Sequence, residues 1–146
     1  MKVNRKLEYA LIALRHISLK QGQLCSAKEI ASTYALPFDV ISRVLQKLSQ
    51  FEWLKSSQGS NGGYFLGNKD FSELSLLELV EILDGQHAVV KCLLKNHDCP
   101  ISSKCNVINP MEKLNNNLQT FLSQQKVVDL FEQQMAAAMQ VEVANV

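Results

Sequence analysis

No apolar run in the 146-residue chain approaches the roughly 18 residues that a membrane-spanning helix requires. The opening residues are basic, but Glu8 and Arg15 interrupt the segment after them, so the sequence has no signal-peptide core. Only six Gly and three Pro occur, and 47% of the residues are hydrophobic, which argues against a disordered chain or a repeat array. We therefore expect a cytoplasmic protein with one globular domain, or a small domain with an appended element.

Catalytic signatures are also missing from the sequence. It contains no phosphate-binding glycine loop, no paired carboxylates and no nucleophile–base pair, so an enzyme is not expected. The four cysteines include no Cys-x(2)-Cys pair, which disfavours a small electron carrier or a thiol oxidoreductase.

Charge is divided unevenly along the chain, although the formal net charge is only +1. Residues 1–69 hold ten Lys/Arg and four Asp/Glu, whereas residues 70–146 hold five Lys/Arg and ten Asp/Glu. A basic half joined to an acidic half indicates that the first half meets a polyanion. The alternative is an ordinary solvated surface without a partner.

Three helix signals open the chain. Apolar side chains recur at helical spacing over residues 7–19 and predict the first helix. A capping box at Ser26–Glu29, in which each side chain should bind the other's backbone amide, predicts a second helix that ends near residue 34. Pro37 fits the first position of a third helix that runs to about Gln50.

The pattern changes to that of a hairpin after the third helix. Residues 53–57 and 63–66 have the composition of strands, and the Asn61-Gly62 step between them favours the positive backbone angles of a tight turn. Three helices followed by a glycine-tipped hairpin is the element order of a winged helix-turn-helix.

The second half is predicted to be helical except for one segment. A capping box at Ser75–Glu78 starts a fourth helix, with Gly85 where a left-handed cap would end it. Residues 86–108 show no clean periodicity. Asn109 is the expected cap of a fifth helix, and a last helix is predicted over residues 127–140, with a frayed tail after it. The fifth helix carries an apolar seam that requires a partner helix: Met111, Leu114, Leu118 and Phe121.

The third helix is the expected recognition helix, because the second helix of a helix-turn-helix lies in the DNA major groove. Arg43 can donate two hydrogen bonds to guanine and Gln46 can pair with adenine, whereas Lys47 and Lys55 suit phosphates. The alternative is an ordinary polar helix face. Gln50 lies on the same outward stripe of the helix. The residues predicted to contact double-stranded DNA are Asp39, Ser42, Arg43, Gln46 and Lys47 of the helix and Lys55, Gln58, Gly59, Ser60 and Asn61 of the wing.

Three of the four cysteines are clustered as Cys92-x(6)-Cys99-x(5)-Cys105. Clustered thiols in a reducing cytoplasm are more often metal ligands or redox centres than disulfides. Their wide spacing on a loop suits an iron–sulfur cluster, whose iron atoms need thiolates from several directions. A thiol-only or zinc-bound loop and three unrelated free cysteines are the alternatives. Cys25 immediately precedes a helix cap and is interpreted as a small buried hydrophobe, and His16 is given no role.

The stretch from Leu36 to Gly67, with its Gly-Gly-Tyr before an apolar residue, resembles the IscR/NsrR family of iron–sulfur winged-helix regulators. Tyr9-Ala10-Leu11 and the cysteine trio resemble that family too, so the resemblance covers nearly the whole chain. It implies a homodimer in which the helix from about residue 110 crosses its mate, a roughly palindromic operator, and a [2Fe-2S] or [4Fe-4S] cluster. The implied function is a transcriptional regulator, a repressor that senses nitric oxide, iron–sulfur status or redox state; a thiol-sensing or zinc-containing DNA-binding regulator is the alternative.

Two positions depart from the family pattern. An IscR-type wing carries arginine where this chain has Gln58, and the missing positive charge predicts weaker discrimination of a narrow minor groove. IscR-like proteins place a histidine ligand where this chain has Ile108, which cannot bind iron. In nitric-oxide-sensing relatives, an acidic side chain from the other subunit's first helix is the fourth ligand, and the resemblance assigns that role to Glu8 of the partner subunit. His87, His97 and an ordinary exposed glutamate are the alternatives.

The predicted fold class is mainly α: a winged helix-turn-helix with a two-stranded wing plus a long C-terminal dimerisation helix. The expected parts are a DNA-binding domain over residues 1–85, a cysteine-bearing cofactor loop over residues 86–108 and dimerisation helices over residues 109–146.

Overall fold

The computed structural model describes residues 4–144, apart from the side chains of residues 134–138 and 142. None of its helices combines the length and the apolar character needed to cross a membrane within that range. In chain order, the described residues form α1 (Arg5–Leu19), α2 (Ala27–Tyr34), α3 (Phe38–Gln50), β1 (Leu54–Ser57), β2 (Gly63–Leu66), α4 (Leu76–Asp84), α5 (Ile108–Gln124) and α6 (Val127–Ala144). The predicted fold class, mainly α with a two-stranded wing, is confirmed.

Helices α1 and α2 begin where a capping side chain accepts from a backbone amide of the first turn. Asn4 caps α1 by accepting from the Lys6 amide, so this helix starts two residues before the predicted range. The Ser26 hydroxyl accepts from the Glu29 amide at 3.0 Å, as expected. The predicted reciprocal half of that capping box is wrong, because the Glu29 carboxylate instead binds His16 of α1 and Lys20, the residue after it. Pro37 is the N-cap of α3 and not its first helical residue.

The wing is an antiparallel hairpin that pairs Leu54 with Leu66 and Ser57 with Gly63. Its positive backbone angle falls on Gly59 (φ +115°), so the prediction of positive angles at Asn61-Gly62 was wrong. Gly63 is needed for a different reason, because an added Cβ would lie 2.8 Å from the carbonyl of Cys25. That close approach lets Cys25 and Tyr64 exchange two backbone hydrogen bonds and fixes the wing to the segment before α2.

Helix α4 is capped by Ser75, whose hydroxyl accepts from the Glu78 amide at 3.1 Å. The Glu78 carboxylate accepts from the Trp53 indole and not from Ser75, so this second capping box is also only half formed. Gly85 ends the helix at φ +83° and ψ −164°, a glycine conformation that differs from the predicted left-handed cap.

Helix α5 starts at Ile108, with Val107 as its cap residue, so the prediction that Asn109 caps it was wrong. Helix α6 continues to Ala144, four residues past the predicted end at Gln140. Its first turns complete the core of the N-terminal half. Val127 is fully buried there, and the Phe131 ring stacks on Phe71 and lies 5.2 Å below the Arg15 guanidinium.

Candidate nucleic-acid interface and cysteine loop

The turn between α2 and α3 orients the candidate recognition helix. Ala35 takes the left-handed conformation (φ 51°) and its amide donates back to α2, so α3 leaves α2 after only three residues. One face of α3 is apolar and buried: Ile41, Val44, Leu45 and Leu48. The opposite face carries the predicted DNA-contacting residues of α3, of which Ser42 is half-buried and the others are exposed: Asp39, Arg43, Gln46 and Lys47. Gln50 is exposed on the same face.

Side chains on this face differ in what they bind within the chain. The Lys47 ammonium donates to the Leu83 carbonyl in the last turn of α4, where a cation is favourable. Gln46 donates to the Ser42 hydroxyl at 3.5 Å, the limit of a hydrogen bond. Arg43 is exposed in the middle of the face. Base reading by Arg43 and Gln46 and phosphate binding by Lys47 stay predictions.

The wing adds a second polar surface beside α3. Gln58, Gly59, Ser60 and Asn61 form its exposed tip between β1 and β2. The Lys55 ammonium donates to the side-chain oxygen Oδ1 of Asn68 at 2.6 Å, which holds it at the base of the wing. Lys69, which the sequence analysis did not single out, lies 4.9 Å above the Trp53 ring at the same base.

The three clustered cysteines lie on the irregular segment between α4 and α5. Cys92 is in a short 3₁₀ turn (Lys91–Leu93), and Cys105 directly follows another (Ser102–Lys104). The Cys99 carbonyl accepts from the Ser102 amide at the start of that second turn. All three thiols are free and half-buried.

Helix α5 holds the beginning of this segment through two polar side chains that the sequence analysis missed. The carbonyl oxygen of the buried Asn115 accepts from the Val89 amide at 3.0 Å. The Gln119 amide donates to the His87 carbonyl at 2.9 Å. Asn115 and Gln119 are four residues apart and therefore share one face of α5. Amides at that spacing on an otherwise apolar face are the signal that could have identified them.

The donor chemistry of the loop fits an iron–sulfur cluster, although its thiols are not drawn together as ligands of one ion would be. In residues 4–144, one group of three His, Cys, Asp or Glu ligand atoms lies within 4.8 Å, and it lies outside the loop. Thiolates of a cluster bind different iron atoms and need not approach one another that closely. Three exposed lysines would offset the negative charge of the thiolates: Lys91, Lys95 and Lys104. Glu8 is exposed in the first turn of α1, as a ligand offered to another subunit requires.

The compact group consists of His16, Cys25 and Glu29. His16 is buried between the Glu29 carboxylate (Nε2–Oε1 2.9 Å) and the Tyr34 hydroxyl (Nδ1–Oη 3.0 Å). The hydrogen bond to His16 lowers the pKa of the Glu29 carboxyl below its ordinary value. Cys25 is fully buried, as predicted, and this burial raises the pKa of its thiol, with a further contribution from the Glu29 charge.

Residues 3–133 match the Rrf2 family, described as an iron-dependent transcriptional regulator. The chain is 31% identical over 116 residues to the HTH-type transcriptional regulator NsrR of Oceanobacillus iheyensis, covering 77% of this chain and 78% of the relative. It is 28% identical to NsrR of Bacillus subtilis over 107 residues, which is 72% of this chain and 73% of that one.

Two solved structures share the fold at low sequence identity. CymR, the global cysteine regulator of B. subtilis, superposes with a TM-score of 0.66 at 21% identity, covering 89% of this chain and 95% of its own. IscR of T. potens superposes with a TM-score of 0.66 at 20% identity, covering 94% and 90% of the two chains.

Proposed function

Since this chain belongs to the Rrf2 family of transcriptional regulators, we propose that it is a homodimeric repressor whose operator affinity is set by an iron–sulfur cluster. The cluster responds to nitric oxide, iron–sulfur status or redox state. The proposal rests on one observation: the same chain has a helix with an exposed polar face, α3, and a loop with three free thiols. The proposed parts are the DNA-binding domain (1–85), the cofactor loop (86–108) and the dimerisation helices (109–146).

The DNA-binding part of the proposal assigns base reading to α3 and backbone contacts to the wing. Arg43 donates two hydrogen bonds to a guanine edge and Gln46 pairs with adenine. Lys55 and the wing tip approach the sugar-phosphate backbone, which positions the protein without reading sequence. Lys47 reaches a phosphate by leaving the Leu83 carbonyl. A neutral Gln58 gains little from the negative potential of a narrow minor groove, so α3 carries most of the discrimination.

Dimerisation is supported by the apolar seam of α5. Leu114 and Phe121 are 44% and 56% exposed in the single chain, and Met111 and Leu118 are half-buried. Removing these side chains from water favours a partner helix that carries the same seam. A twofold dimer of this kind presents two recognition helices to half-sites about 34–36 Å apart, one turn of the duplex.

Cys92, Cys99 and Cys105 hold the cluster in this proposal, with the partner subunit's Glu8 as fourth ligand. When bound, the cluster would supply an iron that is more easily released or attacked on the Glu8 side, because a carboxylate oxygen binds iron more weakly than a thiolate does. Glu8 in that role joins α1 of one subunit to the loop of the other. The conformation of the loop in one subunit then depends on the position of α1 in the other subunit.

A continuous set of contacts supports coupling between the loop and the recognition helix. Asn115 and Gln119 fix the loop's first residues to α5. The loop begins directly after α4, whose Leu83 carbonyl accepts from Lys47 of α3. A rearrangement of the loop can therefore shift the end of α4 and change how firmly the Leu83 carbonyl holds Lys47 away from a phosphate. Such coupling requires two states that differ in DNA affinity.

The decisive experiment compares the operator affinity of cluster-loaded and cluster-free protein at one salt concentration. We expect a difference of about 5–150-fold, the range that coupling free energies of this kind span. The Cys92→Ser variant should bind the operator identically before and after iron–sulfur reconstitution. Glu8→Ala should retain less iron after desalting, whereas Glu81→Ala, which removes an exposed glutamate of α4, should not. Equal affinities for the loaded and empty wild type would contradict regulation by the loop.

The docking arrangement predicts an ordered set of losses in operator binding. Arg43→Ala should weaken specific binding about 5–150-fold, since a bidentate base contact contributes about 1–3 kcal/mol. Gln58→Ala should have a smaller effect. Lys113→Ala removes the same charge from α5, away from the α3 face, and serves as the matched control. Negligible losses from both Arg43→Ala and Gln58→Ala would contradict the arrangement.

A cluster-free regulator that senses thiol oxidation, or one that binds zinc, is the second candidate. The separation of the loop thiols, which form no compact ligand group within the described range, favours the thiol sensor over the zinc loop. Anaerobic purification separates the two: a brown protein with bound iron and sulfide supports the cluster, and a colourless one with stoichiometric zinc supports a zinc loop. A colourless, metal-free protein whose DNA affinity changes with thiol oxidation supports the thiol sensor.

A further inference from the structure

A second cluster of metal-ligating side chains lies in the DNA-binding half, away from the cysteine loop. His16 comes from α1, Cys25 from the residue before the cap of α2, and Glu29 from the first turn of α2. One nitrogen, one sulfur and one oxygen ligand atom lie within 4.8 Å of one another. His16 and Cys25 are buried, while Glu29 forms the solvent-facing edge. Metal could therefore enter past the glutamate.

The backbone around these side chains is firmly held. Cys25 exchanges two hydrogen bonds of 2.9 and 2.8 Å with Tyr64 of β2. Ser26 caps α2 through the amide of Glu29 itself. The donors therefore sit on elements that the fold has already fixed, which reduces the entropy lost when a ligand binds.

The histidine also has the outer partner that metal-binding histidines usually have. Its Nδ1 lies 3.0 Å from the Tyr34 hydroxyl, and its Nε2 faces Glu29. If Nδ1–H donates to Tyr34, the Nε2 lone pair is available to a metal, and the ring is held in that orientation. The tyrosine thus acts as a positioning residue.

We propose that His16, Cys25 and Glu29 form a zinc site of the Cys-His-carboxylate type, with a fourth position open to water. This donor set suits the tetrahedral preference of Zn²⁺. Binding forms Zn–S, Zn–N and Zn–O bonds, releases the thiol proton of Cys25 to solvent and breaks the hydrogen bond between His16 and Glu29. The proton leaves Nε2, and the neutral ring carries its proton on Nδ1, which donates to the Tyr34 hydroxyl. No electrons are transferred, because Zn²⁺ is not redox-active.

The site joins three elements of the DNA-binding half: α1, α2 and the wing strand β2. His16 belongs to α1, Glu29 to α2, and Cys25 is paired with the wing strand β2. Zinc bound there would stabilise the packing of α2, and of α3 behind it, against the wing. The Lys20 ammonium, 3.4 Å from Glu29 Oε1, opposes the bound cation and weakens the site.

The test uses the full-length chain with Cys92, Cys99 and Cys105 changed to Ser, so that the loop offers no thiolate. We expect this triple variant to bind one Co²⁺ per chain, with a thiolate-to-cobalt charge-transfer band that Zn²⁺ abolishes by displacement. Adding Cys25→Ser should remove the band. Tyr34→Phe should weaken Co²⁺ binding about 10–100-fold, as loss of an outer partner does, whereas Lys20→Gln should strengthen it.

Folding is checked by circular dichroism and by the fluorescence of Trp53, the single tryptophan. If Cys25→Ser does not fold, Glu29→Gln on the exposed edge of the site decides, and it should weaken Co²⁺ binding at least tenfold. A folded triple variant that binds no Co²⁺ overturns the proposal, as does a band that survives Cys25→Ser or an affinity unchanged by Glu29→Gln. None of these outcomes bears on the cysteine loop, because the triple variant lacks its thiols.

Discussion

The two halves of this chain differ in whether their apolar side chains are buried within the chain. In the N-terminal half, Leu14 of α1, Ile30 of α2 and Leu45 of α3 are fully buried in one shared core. In α5 the buried residues are only Asn115 and Leu122, while Leu114 and Phe121 of its apolar seam are exposed. The same helical periodicity therefore describes a closed core in one half and an unfilled surface in the other.

One chain alone accounts for the apolar residues of the N-terminal core but not for those of the α5 seam. A core residue is explained by its neighbours in the chain, whereas a seam residue is explained only by a second molecule. The halves are nevertheless joined, because the Leu76 amide donates to Gln125 and the Val127 amide donates to Leu74. A conformational change at the seam or the loop can thus be transmitted to the DNA-binding half through α4 and the start of α6.

The largest expected contrast comes from removing one leucine from each half. Leu45→Ala should lower the free energy of unfolding by about 2–5 kcal/mol, because it leaves a cavity in a closed core. Leu114→Ala should instead weaken self-association, which analytical ultracentrifugation measures. Its effect on urea unfolding should shrink as the protein is diluted, because dimer stability depends on concentration.

That contrast would be broken by either of two results. One is a loss of several kcal/mol in dilute Leu114→Ala, which would mean that the seam belongs to the core of its own chain. The other is unchanged self-association in both Leu114→Ala and Phe121→Ala, which would remove the seam from the dimer interface.

A smaller effect is expected where α5 holds the cysteine loop. Asn115→Ala leaves the Val89 amide without its protein acceptor, and because Val89 is exposed, water can take part of that acceptor's place. The expected cost is therefore that of one ordinary hydrogen bond, about 0.5–1.5 kcal/mol. The loss should be local, so amide hydrogen exchange should accelerate at Val89 and its neighbours while Leu45 of α3 stays protected. Asn117→Ala removes an exposed asparagine of the same helix and should leave Val89 exchange unchanged. Faster exchange throughout the chain would show that Asn115 supports the whole fold instead.

Sequence reasoning succeeded where a structure depends on near neighbours and erred where a distant partner intervenes. The serines of both capping boxes cap their helices because donor and acceptor are three residues apart. The glutamates of the same boxes do not reach back, since Glu29 binds His16 and Glu78 binds Trp53 across the fold. No local pattern encodes those pairings.

The candidate site follows the same rule. The polar face of α3 could be predicted from helical periodicity, and the structure places those residues together. The compact group at His16 could not, because its ligands come from different elements that only the packing of α1 and α2 on α3 brings together. The role of Asn115 was hidden likewise, because the amide it binds lies 26 residues away.

The smallest expected effect tests a polar contact that closes the N-terminal half. Asp84, at the end of α4, accepts from Lys6 (3.0 Å) and Asn4 (3.1 Å) at the start of α1. Burial raises the pKa of Asp84, but hydrogen bonds from Lys6 and Asn4 and the charges of Lys6 and Lys47 outweigh it, so the pKa lies below its ordinary value. The folded state thus favours the charged carboxylate.

Because the folded pKa is the lower one, the unfolded chain binds the proton first as the pH falls, and the contribution of Asp84 disappears toward acid. It is complete above the unfolded pKa of about 3.9 and is lost as the pH falls through the folded value. Asp84→Asn should therefore cost at most about 1 kcal/mol at pH 7, as exposed ion pairs do. Urea unfolding of both proteins should be repeated at successively lower pH values at which both still fold. The difference between their free energies of unfolding should shrink as the pH falls. Adding Lys6→Met to Asp84→Asn should lower the free energy of unfolding little further, because the ion pair is already broken. A difference between wild type and Asp84→Asn that grows as the pH falls would contradict the assigned direction of the pKa shift.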